Sequence, residues 1–70
     1  MDRISVSSSA VRSIGNDAVA AILEVEFTSG RVYQYQGVPT ETYEEIMRAE
    51  SKGKYLNTHI KERFPFRRVV

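Results

Sequence analysis

The stretch Phe27–Pro39, FTSGRVYQYQGVP, divides a strand-rich first half of the chain from a helical second half. It ends one strand, turns at Ser29-Gly30, continues as a second strand that carries Tyr33 and Tyr35, and stops at Gly37–Pro39. Glycine and proline are the residues that most often mark where strands turn and end. The chain is therefore predicted to fold around a central β-hairpin.

The first strand of this hairpin is predicted over Ala18–Phe27. Its apolar residues alternate with Glu24 and Glu26, which is the period-2 pattern of a half-buried strand. The two glutamates are expected on the solvated side of the sheet, although paired carboxylates can also serve in acid–base catalysis or bind metals.

The length of the hairpin loop determines which way the tyrosines face, since a slip of one residue reverses every side chain. A two-residue loop would place both tyrosines on the glutamate face, exposed. A three-residue loop with Gly30 in the left-handed conformation would pair Val25 with Tyr33 and Leu23 with Tyr35. The longer loop gathers the large apolar groups on one face, so it is favoured, and the tyrosines are expected in the core.

An earlier strand is predicted over Ala10–Ile14, with Val11 and Ser13 on the same face. The residues Gly15–Asp17 have turn composition and are expected to end it.

The second half of the chain has helical patterning. A first helix is expected to begin at Pro39 or Thr40, since proline suits a first turn and threonine can cap it. Tyr43, Ile46 and Met47 follow at i, i+3, i+4 spacing and predict a stripe that packs on the sheet.

A second helix is predicted to start at Ser51 as N-cap, with Leu56 and Ile60 as its buried edge. The segment that follows must be extended around Pro65. Phe64 and Phe66 are expected to fold back onto the core, because so small a domain cannot easily leave both in water. The predicted fold class is α+β: a three-stranded antiparallel meander, two helices packed on one face, and an extended C-terminal segment at the sheet edge.

Length and composition limit the function classes. Seventy residues predict a single domain, 1–70, with short frayed ends at 1–3 and 69–70. The chain has no cysteine, which excludes disulfides and zinc–thiolate sites. It has no apolar run of about 18 residues and no signal-peptide core, so a cytoplasmic protein without membrane association is expected.

The positive charge of the chain is concentrated at its C-terminal end. The net charge is only +1, but residues 51–70 contain six lysines and arginines against the single acid Glu62. Such asymmetry favours a polyanion-facing surface, while a solvated helix face explains it equally simply.

Several segments occur together in a recognisable order: Ser7–Val11, Ser13–Gly15, Leu23–Phe27, Tyr33–Tyr35, Gly37–Pro39, Ser51–Tyr55 and Arg67–Val69. With these segments the chain resembles the KTSC domain, a module named for the C-terminal segment of some lysyl-tRNA synthetases and found also as small bacterial and archaeal proteins. The resemblance runs from Val6 to Val69. The sequence departs from the family pattern at Asn16, where an aromatic residue is common.

The resemblance implies an RNA-binding module, with DNA as a further possibility. The phosphates would be contacted by the basic C-terminal helix and tail; the candidate residues are Lys52, Gly53, Lys54, Asn57, Lys61, Arg63, Arg67 and Arg68. Bases could stack on tyrosines if these are exposed rather than core; the candidates are Tyr33, Tyr35 and Tyr55.

Two other functions compete with this hypothesis. The first is a protein-interaction module, a monomer or weak homodimer joined through an exposed sheet edge. The second is a hydrolase or transferase built on Glu24, Glu26 and His59. One histidine and no cysteine make a catalytic triad or transition-metal site unconvincing, so we expect no enzyme activity, no cofactor, no metal and no small-molecule substrate.

Overall fold

The computed structural model of the chain describes residues 2–70 and contains one antiparallel sheet of five strands in sequential order. The strands are β1 (Arg3–Ser5), β2 (Val11–Asp17), β3 (Ile22–Phe27), β4 (Val32–Gln36) and β5 (Phe66–Arg68). Between β4 and β5 lie α1 (Thr40–Arg48) and α2 (Lys52–Tyr55), and α2 continues directly into a π-helical stretch, Leu56–Ile60. The predicted three-stranded meander is wrong, because a short strand at each end widens the sheet to five.

The central hairpin has the three-residue loop that the sequence favours. Gly30 has a φ of +94°, and the Phe27 N–H donates to the Arg31 carbonyl at 2.9 Å. Across the hairpin Val25 pairs with Tyr33, and the neighbouring pair is Glu26 with Val32. The predicted register is confirmed; the two-residue alternative would have placed both tyrosines on the exposed face with Glu24 and Glu26.

Strand β2 differs from the prediction in two ways. A bulge between Val11 and Ser13 puts Val11 and Ile14 together in the core, so Val11 and Ser13 do not share a face. The strand also continues through Gly15–Asp17, and the turn falls at residues 18–21. Gly15 is not a turn residue here: a Cβ at that position would lie 2.6 Å from the Asp2 carbonyl oxygen, so glycine lets β1 approach.

Both helices pack on one face of the sheet. Ile46 of α1 and Leu56 and Ile60 beyond α2 are fully buried, as the helical spacing predicts. They meet side chains from the strands: Val11, Ile14, Leu23, Val25 and Tyr35. Each such side chain contributes about 1.5–3 kcal/mol by leaving water, which makes this layer the main source of stability.

The two edge strands have little apolar burial. Ile4 in β1 and Phe66 in β5 are each 55% exposed, so backbone pairing holds these strands more than side-chain packing does. Phe64 packs partly buried against the core, as predicted. For Phe66 the prediction holds only in part: its ring contacts those of Tyr33 and Tyr35, but more than half of the residue stays exposed at the edge of the sheet.

The opposite face of the sheet, which no helix covers, holds a polar network. The Arg3 guanidinium donates to Glu24 Oε2 at 3.0 Å, and Gln34 Nε2 donates to Glu24 Oε1 at 2.8 Å. Ser13 Oγ donates to Glu26 Oε1 at 2.8 Å. Glu24 is only 8% exposed, and its partners satisfy both carboxylate oxygens.

Candidate nucleic-acid interface

The structure places the predicted site residues in different surroundings, beginning with Lys52. Its Nζ donates to the carbonyls of Met47 and Ala49 at 3.2 and 2.8 Å. These carbonyls end α1, where cations stabilise the free acceptors of the last turn. The Lys52 charge is therefore used within the protein.

Gly53 also has a packing role. A Cβ built on Gly53 would lie 3.2 Å from the Ala10 side chain, so the missing side chain lets α2 approach the segment before β2. Ser51 caps α2 as predicted, with its Oγ accepting from the Lys54 N–H at 3.2 Å. Lys54 and Asn57 are exposed.

A first shallow groove, of about 390 Å³, lies beside the junction of the two helices. Lys54, Tyr55 and His59 contribute to its lining, and the Tyr55 and His59 rings contact each other at a tilt of 43°, with centroids 4.5 Å apart. The Tyr55 hydroxyl donates to Glu45 Oε2 at 2.5 Å. This bond favours the protonated phenol and raises the pKa of Tyr55 above its ordinary value.

The tyrosines of β4 differ from each other in exposure. Tyr35 is 1% exposed and belongs to the core, where burial, and then the neighbouring Tyr33, raise its pKa. Tyr33 is only partly buried and has aromatic neighbours on both sides: the Phe27 centroid is 5.6 Å away and the Phe66 centroid 5.3 Å away. We call Phe27, Tyr33 and Phe66 the aromatic row.

A second groove, of about 420 Å³, lies at the Phe27 end of the aromatic row. Arg31 from the hairpin turn and Lys61 from the end of the helical segment line it together with Phe27 and Tyr33. Lys61 Nζ lies 5.9 Å from the centroid of the Phe27 ring, within the range of a cation–π interaction. We call this site the turn groove.

Phe27 and Arg31 are absent from the residues predicted from the sequence. The signal for them was in the hairpin register, because a three-residue loop pairs these two residues directly beside Tyr33. Their meeting with Lys61 has no signal in the sequence, since it depends on where the helices return to the sheet.

The arginines of the tail are exposed but point in different directions. Arg68 is paired with Tyr33 and shares its side of the sheet, whereas Arg67 is paired with Gln34 and lies on the opposite face. The Arg68 Nε donates to the Val70 backbone oxygen at 2.9 Å. The predicted cations therefore do not form a single continuous surface.

The residues of the hydrolase hypothesis are separated in the fold. Glu24 and Glu26 belong to the polar network of the helix-free face, while His59 lies on the helical segment that packs on the other face. Within residues 2–70, no three side chains of histidine, aspartate or glutamate are grouped so as to hold a metal ion. Over the same residues, no helix has the length and apolar character needed to span a membrane.

These observations define a small domain with one five-stranded sheet, two helices on one face and shallow grooves at the surface. The KTSC domain family matches residues 7–64, and the chain belongs to this family, as its ordered segments predict. The crystal structure of a KTSC domain protein from Yersinia pestis superposes with a TM-score of 0.92 at 40% identity, covering 99% of this chain and 97% of that one.

Relatives of two kinds share the sequence. An uncharacterised protein of Stutzerimonas stutzeri is 44% identical over 57 residues, which are 81% of this chain and 80% of that protein. A lysine–tRNA ligase of Nostoc punctiforme is 34% identical over 61 residues, which are 87% of this chain but only 11% of the ligase. The domain thus occurs both as most of a small protein and as a minor part of a large enzyme.

Proposed function

We propose that this domain is a nucleic-acid-binding module whose ligand is RNA, and that it binds rather than catalyses. The observation that carries the proposal is the aromatic row, whose partly exposed Tyr33 and Phe66 lie beside the basic end of β5. A KTSC segment within proteins named lysine–tRNA ligases supports RNA over DNA as the ligand.

The chemistry of this surface suits a flexible, single-stranded ligand. Cationic side chains contact phosphates regardless of sequence, and aromatic faces stack on unpaired bases. Phe66 is 55% exposed and supplies such a face, while Arg68 shares the side of the sheet on which Tyr33 lies. Lys61 lines the groove at the Phe27 end of the aromatic row, so phosphate contacts are expected along this rim.

The proposal is tested by a salt titration of binding to short single-stranded oligouridine, followed by fluorescence anisotropy. For a single strand, log K should fall against log salt with a slope of about −0.7 per phosphate contacted. The double variant R67E/R68E should weaken binding about tenfold or more and reduce the slope by about 1 to 2. The control is Arg48→Glu, a charge reversal on the exposed surface of α1, where Arg48 makes no ion pair with residues 2–70, and folding is checked by circular dichroism.

The absence of RNA binding by the wild-type domain at low salt would contradict the proposal. So would binding that the tail variant leaves unchanged relative to the control. One observation favours a second function, a protein-interaction module: both sheet edges expose an apolar side chain, Ile4 on β1 and Phe66 on β5. Sedimentation that shows salt-independent self-association, together with no RNA binding, would favour this alternative.

A further inference from the structure

The turn groove is built from three separate parts of the chain. One wall is the segment Ser9-Ala10, and the other is the hairpin turn that precedes Arg31. The Thr28 N–H donates to the Ala10 carbonyl at 3.0 Å, and the Thr28 hydroxyl donates to the Ser9 carbonyl at 3.4 Å. The turn is also closed on itself, because the Gly30 N–H donates to the Phe27 carbonyl at 2.9 Å. Hydrogen bonds therefore already join the walls in the free protein. Ordering them on ligand binding would cost little conformational entropy.

The floor of the groove is aromatic, and its cover is a cation. Phe27 and Tyr33 are both partly buried and meet edge to face, with an interplanar angle of 66°. Lys61 is exposed, and its ammonium group lies over the Phe27 ring. The ring face beneath Lys61 is thus turned to the groove, and a flexible side chain covers it instead of the packed core.

Charge in the groove selects an anion. Arg31 and Lys61 approach from the turn and from the helical segment, and neither forms an ion pair within residues 2–70. The volume, about 420 Å³, lies within the range of about 300–1,000 Å³ typical of small-ligand sites. A flat aromatic group that carries one phosphate matches both the floor and the cations.

We infer that the turn groove binds one unpaired nucleotide of a single-stranded RNA, with its base on Phe27 and its phosphate between Arg31 and Lys61. The inference rests on the proposed RNA-binding function and gives it a specific subsite. The base takes the ring face that Lys61 covers in the free protein, and the released ammonium turns to the phosphate. The exchange replaces a cation–π contact with a stacked base and a charge-assisted hydrogen bond.

A base inside a duplex is already stacked and paired, so it cannot enter this groove. The groove therefore predicts a preference for single-stranded over fully paired RNA. The hydroxyls of Ser9 and Ser29 lie on the groove walls and are available to the sugar or base edge.

The experiment measures anisotropy of labelled single-stranded oligouridine with the variants Phe27→Leu, Lys61→Glu and Arg31→Glu. Arg48→Glu is the matched control, a charge reversal on exposed helix surface outside the groove. Loss of the stacking face should weaken binding about 5- to 100-fold. Each groove charge reversal should weaken it more than the control does. A fully paired RNA hairpin stem should bind the wild-type domain less tightly than the single strand.

A second readout keeps the test independent of folding losses. RNA that carries 2-aminopurine should lose fluorescence when its base stacks on Phe27, and Phe27→Tyr, which keeps an aromatic face, should retain this quenching. Thermal unfolding checks that each variant is folded.

Two failures can be told apart. If the wild-type domain binds no RNA at low salt, the proposed function and the subsite are both overturned. If it binds RNA, and R67E/R68E weakens the binding while the three groove variants behave like Arg48→Glu, only the subsite is overturned. Equal affinity for the single strand and the paired stem would likewise overturn the subsite alone.

Discussion

The basic residues of this domain fall into two groups that differ in what surrounds their charge. The first group bonds within the protein: Arg3, Arg12 and Lys52. The second group is exposed and makes no ion pair in the part of the chain that the structure describes: Arg31, Arg48, Lys54, Lys61, Arg63, Arg67 and Arg68. Only the second group is free to meet a polyanion.

This difference explains how a chain of net charge +1 can present a basic surface. Glu24 and Glu26 neutralise arginines of the first two strands on the helix-free face of the sheet. Most of the unpaired cations come from the second half of the chain, and Arg31 joins them through the hairpin turn. Net charge alone therefore says little about binding, because it counts cations that already have partners.

The largest expected effect follows from removing the acid that holds Arg3. Glu24 is 8% exposed and accepts from both Arg3 and Gln34, so Glu24→Ala leaves two polar groups without their partner. Because the Arg3 side chain is 30% exposed and can be partly rehydrated, we expect a loss of about 2–3 kcal/mol in the free energy of unfolding. Urea denaturation measures it.

Glu24→Gln is the matched control, since it keeps an acceptor for Gln34 and removes only the charge. It should cost less than the alanine variant. RNA affinity should not fall in either variant, because neither removes an unpaired cation. A destabilisation below about 0.5 kcal/mol for Glu24→Ala would show that the network is no more than a surface ion pair.

The next prediction compares how Lys52 and Lys54, both in α2, contribute to stability. Lys52→Met keeps the aliphatic stem but removes two bonds to the carbonyls that end α1, so a loss of about 1–2 kcal/mol in unfolding free energy is expected. Lys54→Met should change stability by less than about 0.5 kcal/mol, since Lys54 is exposed.

RNA affinity should respond in the opposite order. Lys54→Met should weaken binding and Lys52→Met should not, when measured by the same anisotropy titration in low salt. If Lys52→Met weakened RNA binding as much as Lys54→Met, the division between bonded and free cations would be wrong for this helix.

The sequence predicted the parts of the fold that burial specifies. The hairpin register follows from keeping Leu23, Val25 and the tyrosines on one face, and the stripe at Ile46 follows from helical spacing. Strands β1 and β5 were missed as strands because backbone pairing holds them. Each has only three residues, too few for a brief alternation such as Ile4-Ser5-Val6 to predict a strand, although the C-terminal segment was expected at the sheet edge, where β5 lies. The bulge in β2 was missed for a related reason, since one extra residue breaks the period-2 pattern.

The site was less predictable than the fold. Sequence reasoning grouped the cations by their position along the chain, whereas the structure groups them by what they contact. Lys52 and Gly53 lie beside Lys54 in sequence, yet one caps a helix and the other packs on Ala10. Conversely, Arg31 and Lys61 line one groove, although both helices lie between them in the sequence. Such contacts arise from tertiary packing, which no local pattern encodes.

The smallest expected effect concerns Arg12, which belongs to the first group but has a more exposed side chain than Arg3. Its guanidinium is 3.7 Å from Glu26, but its side chain is 57% exposed, so water screens the ion pair. Arg12→Gln should lower the free energy of unfolding by no more than about 0.5 kcal/mol, and salt should reduce this difference further. Denaturation in low and high salt measures it, with Arg48→Gln as an unpaired control. A loss above about 1 kcal/mol that persists in high salt would mean that Arg12 is as firmly bonded as Arg3, and that the polar network extends over the whole of the helix-free face.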